Sequence, residues 1–195
     1  MKIVQVGCHD GNDHVFDIIN NNIDAIEIAY LIEPLKESYD KAVEKYKNIP
    51  NVKLLNIAIT DDDKEEIELF TPISKNVSNE LTSYRKDHIT KHYPNDAIIN
   101  IESFKIKCKN INNLLKDLNL NKLDMLFIDT EGLDCRIIDS IDLDINDIKY
   151  IEFEFTHSEN VLDMGDSETL RNTIKKLTNT GYSIGQRNIN ITAIK

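Results

Sequence analysis

The chain has 195 residues, of which 41% are hydrophobic and 29% are charged, and these values suit a single globular domain over residues 1–195. The formal net charge of -11 disfavours binding to nucleic acid, whose backbone is densely negative. We find no apolar run long enough to span a bilayer, no secretory leader and no disulfide framework, so we expect a cytoplasmic protein with reduced cysteines.

Short apolar runs alternate with amphipathic stretches in the first part of the chain. Lys2–Val6 predicts a first strand, Val15–Ile19 begins a helix, and Ala25–Ile32 predicts a second strand. Apolar residues at helical spacing follow Pro34, a position where proline costs no hydrogen bond, and Val52–Ile59 predicts a third strand. This alternation indicates an α/β fold with parallel strands.

The second part of the chain continues the same pattern and ends differently. The two final apolar runs flank Gln186-Arg187-Asn188 and predict a hairpin, which would place an antiparallel strand at one edge of the sheet. The predicted extended segments are Ile67–Phe70, Phe104–Cys108, Leu123–Ile128, Tyr150–Phe155, Tyr182–Ile184 and Ile189–Ile194, and the predicted helices lie at 111–118, Cys135–Ile141 and 170–177.

The turn after the first strand reads Gly7-Cys8-His9-Asp10-Gly11. Glycines allow a tight turn and close approach of a ligand to the backbone, and a helix start suits an anionic group. However, the His9 side chain and the Asp10 carboxylate would crowd a pyrophosphate, and the third glycine of the dinucleotide fingerprint is absent. The turn therefore favours a ligand without phosphate and counts against a nucleotide-dependent oxidoreductase.

An acidic residue, Glu33, ends the second predicted strand. A carboxylate at this place can accept hydrogen bonds from both hydroxyls of a ribose, although a surface acid at a helix start is the alternative. Asn56, Ile57 and Ala58 end the third predicted strand at the same edge of the sheet. Asn56 could contact an adenine edge and Ile57 its face, or these residues could belong to a turn or the core.

These elements together resemble the FkbM family of S-adenosylmethionine-dependent methyltransferases. The resemblance runs from VQVGCHDG through IEP, NIAITDDD and NINNLL to LDMLFIDTEGLDCRII and YIEFEF. It implies a Rossmann-like, seven-stranded, mostly parallel sheet flanked by helices, with the last strand antiparallel. It also implies S-adenosyl-L-methionine as cofactor and methyl transfer to an oxygen, often a hydroxyl of a sugar, a glycan or another small molecule.

The resemblance assigns cofactor binding to the first turn and to the ends of neighbouring strands. Some positions depart from the family, since Cys8 and His9 replace the common Ala-Asn pair, Asp134 replaces a Glu and Phe127 replaces a frequent Lys. The chain also begins almost at strand one, so we expect an open active site, or one completed by a partner subunit in a homo-oligomer. The assigned cofactor residues are Gly7, Cys8, His9, Asp10, Gly11, Glu33, Pro34, Asn56, Ile57, Ala58 and Asp129.

Asp129 is our first candidate for orienting or deprotonating the substrate, because it ends a strongly apolar strand beside the expected crevice; helix capping is the alternative. Glu131 and Glu154 are further candidates, although Glu131 also suits a structural role in the Glu-Gly turn. His157 is a weaker candidate for the base. Asp129 and Glu154 could also hold a divalent cation, but no dense ligand motif supports a metal, so we expect none.

Two further questions stay open at this point. The basic cluster formed by Arg85, Lys86, His88, Lys91 and His92 is either a solvated helix face or a lid over an anionic substrate. The unusual first turn also leaves room for a catalytically silent binding domain that keeps the cofactor fold.

Overall fold

The computed structural model describes residues 1–73, 79–92, 100–156 and 167–195. Its strands are β1 (Lys2–Val6), β2 (Ile28–Ile32), β3 (Val52–Leu55), β4 (Ala58–Thr60), β5 (Glu66–Pro72), β6 (Ile101–Asn110), β7 (Lys122–Ile128), β8 (Asp147–Glu154), β9 (Ser183–Arg187) and β10 (Asn190–Ile194). Its α-helices are α1 (His14–Asn21), α2 (Lys36–Tyr46), α3 (Lys86–Lys91), α4 (Ile111–Asp117), α5 (Asp134–Ser140) and α6 (Glu168–Asn179). Within these ranges every helix is too short or too polar to cross a lipid bilayer.

Seven of the strands form one sheet in the order β3-β2-β1-β7-β8-β10-β9. Strands β1, β2, β3, β7 and β8 are parallel to one another, whereas β10 is antiparallel to both β8 and β9. The predicted Rossmann-like sheet with an antiparallel strand in a C-terminal hairpin is therefore confirmed. The strand order reverses between β1 and β7, and in such sheets ligands bind at the carboxyl ends of the strands beside the reversal.

Both faces of the sheet are covered near its centre, which explains the continuous apolar runs of its strands. The face that carries Ile3 and Phe127, which we call the first face, packs against α1 and α2. The opposite face carries Val4 and Leu126 and packs against α4, α5 and α6. Helix α1 begins at a strong cap, because Asp13 Oδ1 accepts hydrogen bonds from the backbone amides of Val15 and Phe16 at 2.9 and 3.1 Å.

Several predicted strands have different bounds in the structure, and two of the differences change the local fold. The expected strand Ala25–Ile32 starts only at Ile28, because a short 3-10 turn occupies Ile23–Ala25. The expected strand Val52–Ile59 is wrong as one unit: it divides into β3 and β4, and β4 pairs with β6 in a separate three-stranded sheet that also contains β5. This side sheet places Ile67 and Leu69 next to the carboxyl ends of the main strands.

Candidate active site

A cavity of about 340 Å³ lies at the carboxyl ends of β1, β2 and β7, where the strand order reverses. The first turn, the residues after β2, the start of β4 and the residues after β7 form its walls. Its lining includes Gly7, Cys8, His9, Asp10, Asn12, Asp13, Glu33, Pro34, Ile57, Ala58, Ile67, Leu69, Asn79, Glu80, Tyr84, Asp129, Thr130 and Glu131.

The first turn depends on its two glycines for steric reasons. Gly7 has a φ of 81°, and a Cβ built on it would lie 1.7 Å from the backbone oxygen of Asp129. Gly11 has a φ of 75°, and its Cβ would lie 2.6 Å from the ring of Tyr46. His9 between them also has a positive φ, of 45°, which is uncommon for a residue with a side chain. The turn is thereby held tightly against the end of β7.

Glu33 points toward the first turn, as its proposed role requires. One carboxylate oxygen accepts a hydrogen bond from the backbone amide of His9 at 2.8 Å, and the other accepts one from the amide of Leu35 at 2.8 Å. The side chain is only 6% exposed, and burial raises its pKa although these two amides oppose the shift. Each oxygen retains a lone pair, so Glu33 can accept further hydrogen bonds from a ligand.

The three residues predicted at the end of strand three have different roles. Ile57 and Ala58 line the cavity and give it an apolar wall. Asn56 does not line it: its side-chain amide donates to the backbone oxygens of Glu33 and Pro34 at 2.8 and 2.9 Å. Of the two interpretations of Asn56, the structure therefore favours the turn residue over a contact to adenine.

The cavity is strongly acidic. Among the described residues that line it, His9 is the one with a basic side chain. The Nε2 atom of His9 lies 3.0 Å from Asn79 Oδ1. A phosphate group would therefore meet negative charge on several sides, whereas a cationic ligand would be attracted. The acidic side chains among the lining residues are Asp10, Asp13, Glu33, Glu80, Asp129 and Glu131, of which Glu131 is protonated near neutral pH.

Three carboxyl groups, those of Asp129, Glu131 and Glu154, have oxygens within 4.8 Å of one another. Asp129 is open to the cavity, but the surrounding protein replaces much of the bulk water, and this desolvation with the charge of Asp13 raises its pKa to about 6. Desolvation and the neighbouring Asp129 raise the pKa of both Glu131 and Glu154 to about 8. Near neutral pH the cluster therefore carries one ionised carboxylate and two protonated ones.

The turn after β7 presents this cluster. Asp134 is 2% exposed, and its carboxylate accepts hydrogen bonds from the amide and hydroxyl of Thr130 and from the amide of Gly132. These bonds fold the chain back, and Glu131 has a positive φ of 54°. Such a conformation is costly for a residue with a side chain, and it turns the Glu131 carboxyl toward Asp129. Sequence reasoning treated Glu131 mainly as a structural residue of the turn.

The contact of residues 79–92 with Glu131 could not be predicted from the sequence. His88 is buried, and its Nε2 lies 2.9 Å from Glu131 Oε2, while the Ser83 hydroxyl donates to the Glu131 backbone oxygen at 2.7 Å. Burial lowers the pKa of His88 to about 4, so a neutral imidazole faces a protonated Glu131. The signal in the sequence was the histidine within the basic cluster.

The basic cluster itself has a mixed arrangement. Arg85 and Lys91 both form ion pairs with Asp87, and neither lines the cavity formed by the described residues. Lys86 is exposed on α3. The cluster is therefore neutralised in part by its own acid and presents no open cationic surface to this cavity.

Most of the predicted site residues meet at the cavity, with three exceptions. Gly11 packs against Tyr46 on the far side of the turn, Asn56 holds the chain after β2, and Glu154 is buried beside Asp129 and does not line this cavity. Glu154 also accepts a hydrogen bond from the Thr156 hydroxyl. His157 lies outside the described residues.

Solved structures of methyltransferases share this fold. An FkbM methyltransferase from Methylobacillus flagellatus KT has a TM-score of 0.58 and 13% identity, and the match covers 100% of this chain and 43% of that chain. A precorrin-6y C5,15-methyltransferase from Geobacter metallireducens GS-15 has a TM-score of 0.50 and 14% identity, and covers 100% of this chain and 80% of that one. The chain thus spans less than half the length of the first structure, and no curated protein matches it.

The family assignment rests on a match over most of the sequence. The profile of the FkbM methyltransferase domain matches residues 5–184, which include the first turn, Glu33, the carboxyl cluster and the start of the C-terminal hairpin. The chain belongs to the FkbM family of S-adenosylmethionine-dependent methyltransferases.

Proposed function

We propose that residues 1–195 form a single methyltransferase domain that transfers a methyl group from S-adenosylmethionine to a hydroxyl of a sugar, a glycan or another small molecule. The observation that carries this proposal is the cavity beside the strand reversal, in which Glu33 supports the first turn and acids dominate the lining. S-adenosylmethionine has a cationic sulfonium and ammonium end and no phosphate, so its charge suits this cavity. A pyrophosphate of a dinucleotide does not.

The ribose, the adenine ring and the cationic end of such a cofactor have matching groups in the cavity. The unused lone pairs of Glu33 suit the two hydroxyls of a ribose, as at the equivalent acid of other Rossmann-like sites. Pro34, Ile57 and Ala58 offer apolar surface for an adenine ring. Asp10 and Asp129 supply negative charge for the cationic end.

The chemistry assigned to this chain is the handling of one proton. When the acceptor oxygen attacks the methyl carbon, an O–C bond forms, the C–S bond breaks with its electron pair remaining on sulfur, and the hydroxyl proton must leave. We assign that proton to Asp129, because its pKa of about 6 leaves it ionised at neutral pH and close to the pKa best suited to a general base. Glu131 and Glu154, protonated near neutral pH, keep the added negative charge of the cluster low.

Calorimetry with S-adenosylhomocysteine tests the cofactor site. Glu33→Gln removes the charge of a buried acceptor, and since hydrogen bonds to a charged group contribute about 1.5–3 kcal/mol, affinity should fall by about 10- to 150-fold. Glu37→Gln changes an exposed acid on α2 and is the matched control, with wild-type affinity expected. Equal affinities of the two variants would contradict the proposed site, and binding of NAD in place of S-adenosylhomocysteine would refute the proposed cofactor.

A screen of sugar and polyol acceptors, with methyl transfer as the readout, tests the reaction itself. Methylation of a hydroxyl that depends on S-adenosylmethionine supports the proposal. Binding of S-adenosylhomocysteine without transfer to any acceptor would favour the silent binding domain instead.

A further inference from the structure

A second cavity, of about 620 Å³, lies on the first face of the sheet over β7, β8 and β10. Val6, Asp13 and Asp129 line both cavities, so the two meet at Asp129. Helices α1 and α2 cover the first face over β1 and β2, whereas Tyr150, Glu152 and Thr192 toward β10 remain partly exposed. The second cavity is therefore an open chamber that ends at the proposed base.

The floor of this second cavity is one row of side chains across four strands. Strand register places Gln5 beside Phe127, Phe127 beside Glu152, and Glu152 beside Thr192. Gly185 is the next residue in the row, and it has no side chain to fill the space: a Cβ there would lie 2.8 Å from Thr192 Oγ1. The rings of Phe127 and Tyr150, with centroids 5.8 Å apart, give the floor an apolar part.

Three polar side chains of this cavity converge on the Glu152 carboxylate. His14 Nε2 lies 3.0 Å from Glu152 Oε1, Asn190 Nδ2 donates to the same oxygen at 3.0 Å, and the Tyr150 hydroxyl donates to Glu152 Oε2. The hydrogen bond to Glu152 raises the pKa of His14, which favours a charged pair. Arg187 on β9 adds a second cation at the rim.

One acceptor in the second cavity lacks a partner. Gln5 is 4% exposed, and its Nε2 donates to Asp13 Oδ2 at 2.6 Å, but its Oε1 has no hydrogen-bond partner within the described part of the chain. An unsatisfied buried polar atom carries a free-energy cost, and a bound ligand that donates a hydrogen bond would remove it. Gln5 therefore offers an unused acceptor beside the second cavity.

We propose that the second cavity binds the methyl acceptor and that this acceptor is a neutral polyhydroxylated molecule of about the size of a sugar ring. The assignment rests on the proposed function, because it needs a methyl donor in the first cavity. Hydroxyl groups both donate and accept, so they match Gln5 and Asp129 on one side and Asn190 and Arg187 on the other. A pocket of this volume lies in the range that small-molecule ligands occupy.

The charges of the second cavity separate this ligand class from charged alternatives. An anionic acceptor would face Asp13 and Asp129 beside the reacting atoms, where like charges repel. A cationic acceptor would face Arg187 at the entrance, whereas the charge of His14 is already paired with Glu152. A neutral polyol avoids both costs, and its carbon skeleton can rest on the rings of Phe127 and Tyr150.

Saturation-transfer NMR titrations on the full chain, saturated with S-adenosylhomocysteine, test the proposal. The probes are glucose, galactose and mannose, with glucuronate, galacturonate and mannuronate as their charged counterparts. Thr192→Phe fills the floor of the second cavity, and Arg187→Gln, at an exposed position, removes a cation from its rim. Thr178→Phe makes the same exchange on the exposed side of α6, across the sheet, and serves as control.

We expect at least one neutral sugar to bind the wild type and Thr178→Phe at least tenfold more tightly than it binds Thr192→Phe. The wild type should also bind this sugar more tightly than it binds the corresponding uronate. Arg187→Gln should lower the affinity for the same sugar at least threefold. This second variant keeps the test decisive if circular dichroism shows that Thr192→Phe does not fold. Sugar binding that neither variant weakens, uronate binding equal to sugar binding, or no sugar binding at all would overturn the proposal. S-adenosylhomocysteine affinity should be unchanged in every variant; its loss from the wild type would instead refute the proposed function.

Discussion

Replacing Asp129 by asparagine should lower kcat by about 10²–10⁴-fold, the usual contribution of a general base. We assign the base to this carboxylate because, among the residues that the structure describes, Asp129 and Asp13 are the two acids that line both cavities, and Asp13 is already occupied. Asp13 Oδ1 caps α1, and its Oδ2 accepts a hydrogen bond from Gln5. Since Asp129 has a pKa of about 6, wild-type activity should fall as the pH drops below that value, because a protonated carboxyl accepts no proton.

The measurement is a pH profile of methyl transfer for the wild type, Asp129→Asn and the control Asp144→Asn, which changes an exposed acid after α5. The acid limb near pH 6 should disappear in Asp129→Asn and persist in the control. Thermal melting checks folding: the exchange removes a carboxylate whose ionised form is destabilised by desolvation, so the midpoint should rise. An acid limb that survives in Asp129→Asn would refute the assignment.

Two further predictions concern the stability of the site. Gly7→Ala should destabilise the protein far more than Gly181→Ala in urea unfolding, although both positions have a positive φ. The new Cβ would lie 1.7 Å from the Asp129 backbone oxygen at position 7, whereas at position 181 it meets nothing within 4 Å. Equal losses of stability would contradict this reasoning. Glu154→Gln should gain stability relative to the wild type as the pH rises from about 4.5 to about 8, because in that range the Glu154 carboxyl is ionised in the unfolded wild type and protonated in the folded one. A stability difference that does not change with pH would exclude the raised pKa of Glu154.

The sequence predicted the main sheet well because its central strands are apolar on both faces. Lys2–Val6 has the same bounds in the prediction and the structure. The break between β3 and β4 was not predictable from the apolar pattern, since Val52–Ile59 is apolar almost throughout. It depends on Asn56, whose side-chain amide binds backbone oxygens that lie more than twenty residues earlier.

The side sheet and the carboxyl cluster show the same limit. Strands β5 and β6 pair over a long separation in sequence, and local periodicity contains no information about such pairing. Asp129 and Glu154 were predicted to be neighbours, because both follow adjacent parallel strands. The approach of Glu131 needs its positive φ, and that of His88 needs the packing of α3, so neither could be read from spacing.

The contact between Gly7 and the Asp129 backbone has a consequence for redesign of the enzyme. It joins the first turn and the proposed base into one rigid unit, which is further held by the hydrogen bond from the Asp129 amide to the Val6 oxygen at 2.9 Å. The proposed acceptor floor, by contrast, extends outward to the β9–β10 hairpin at the edge of the sheet. We therefore expect that exchanging residues of that hairpin would alter acceptor preference and leave the first turn and Asp129 in place.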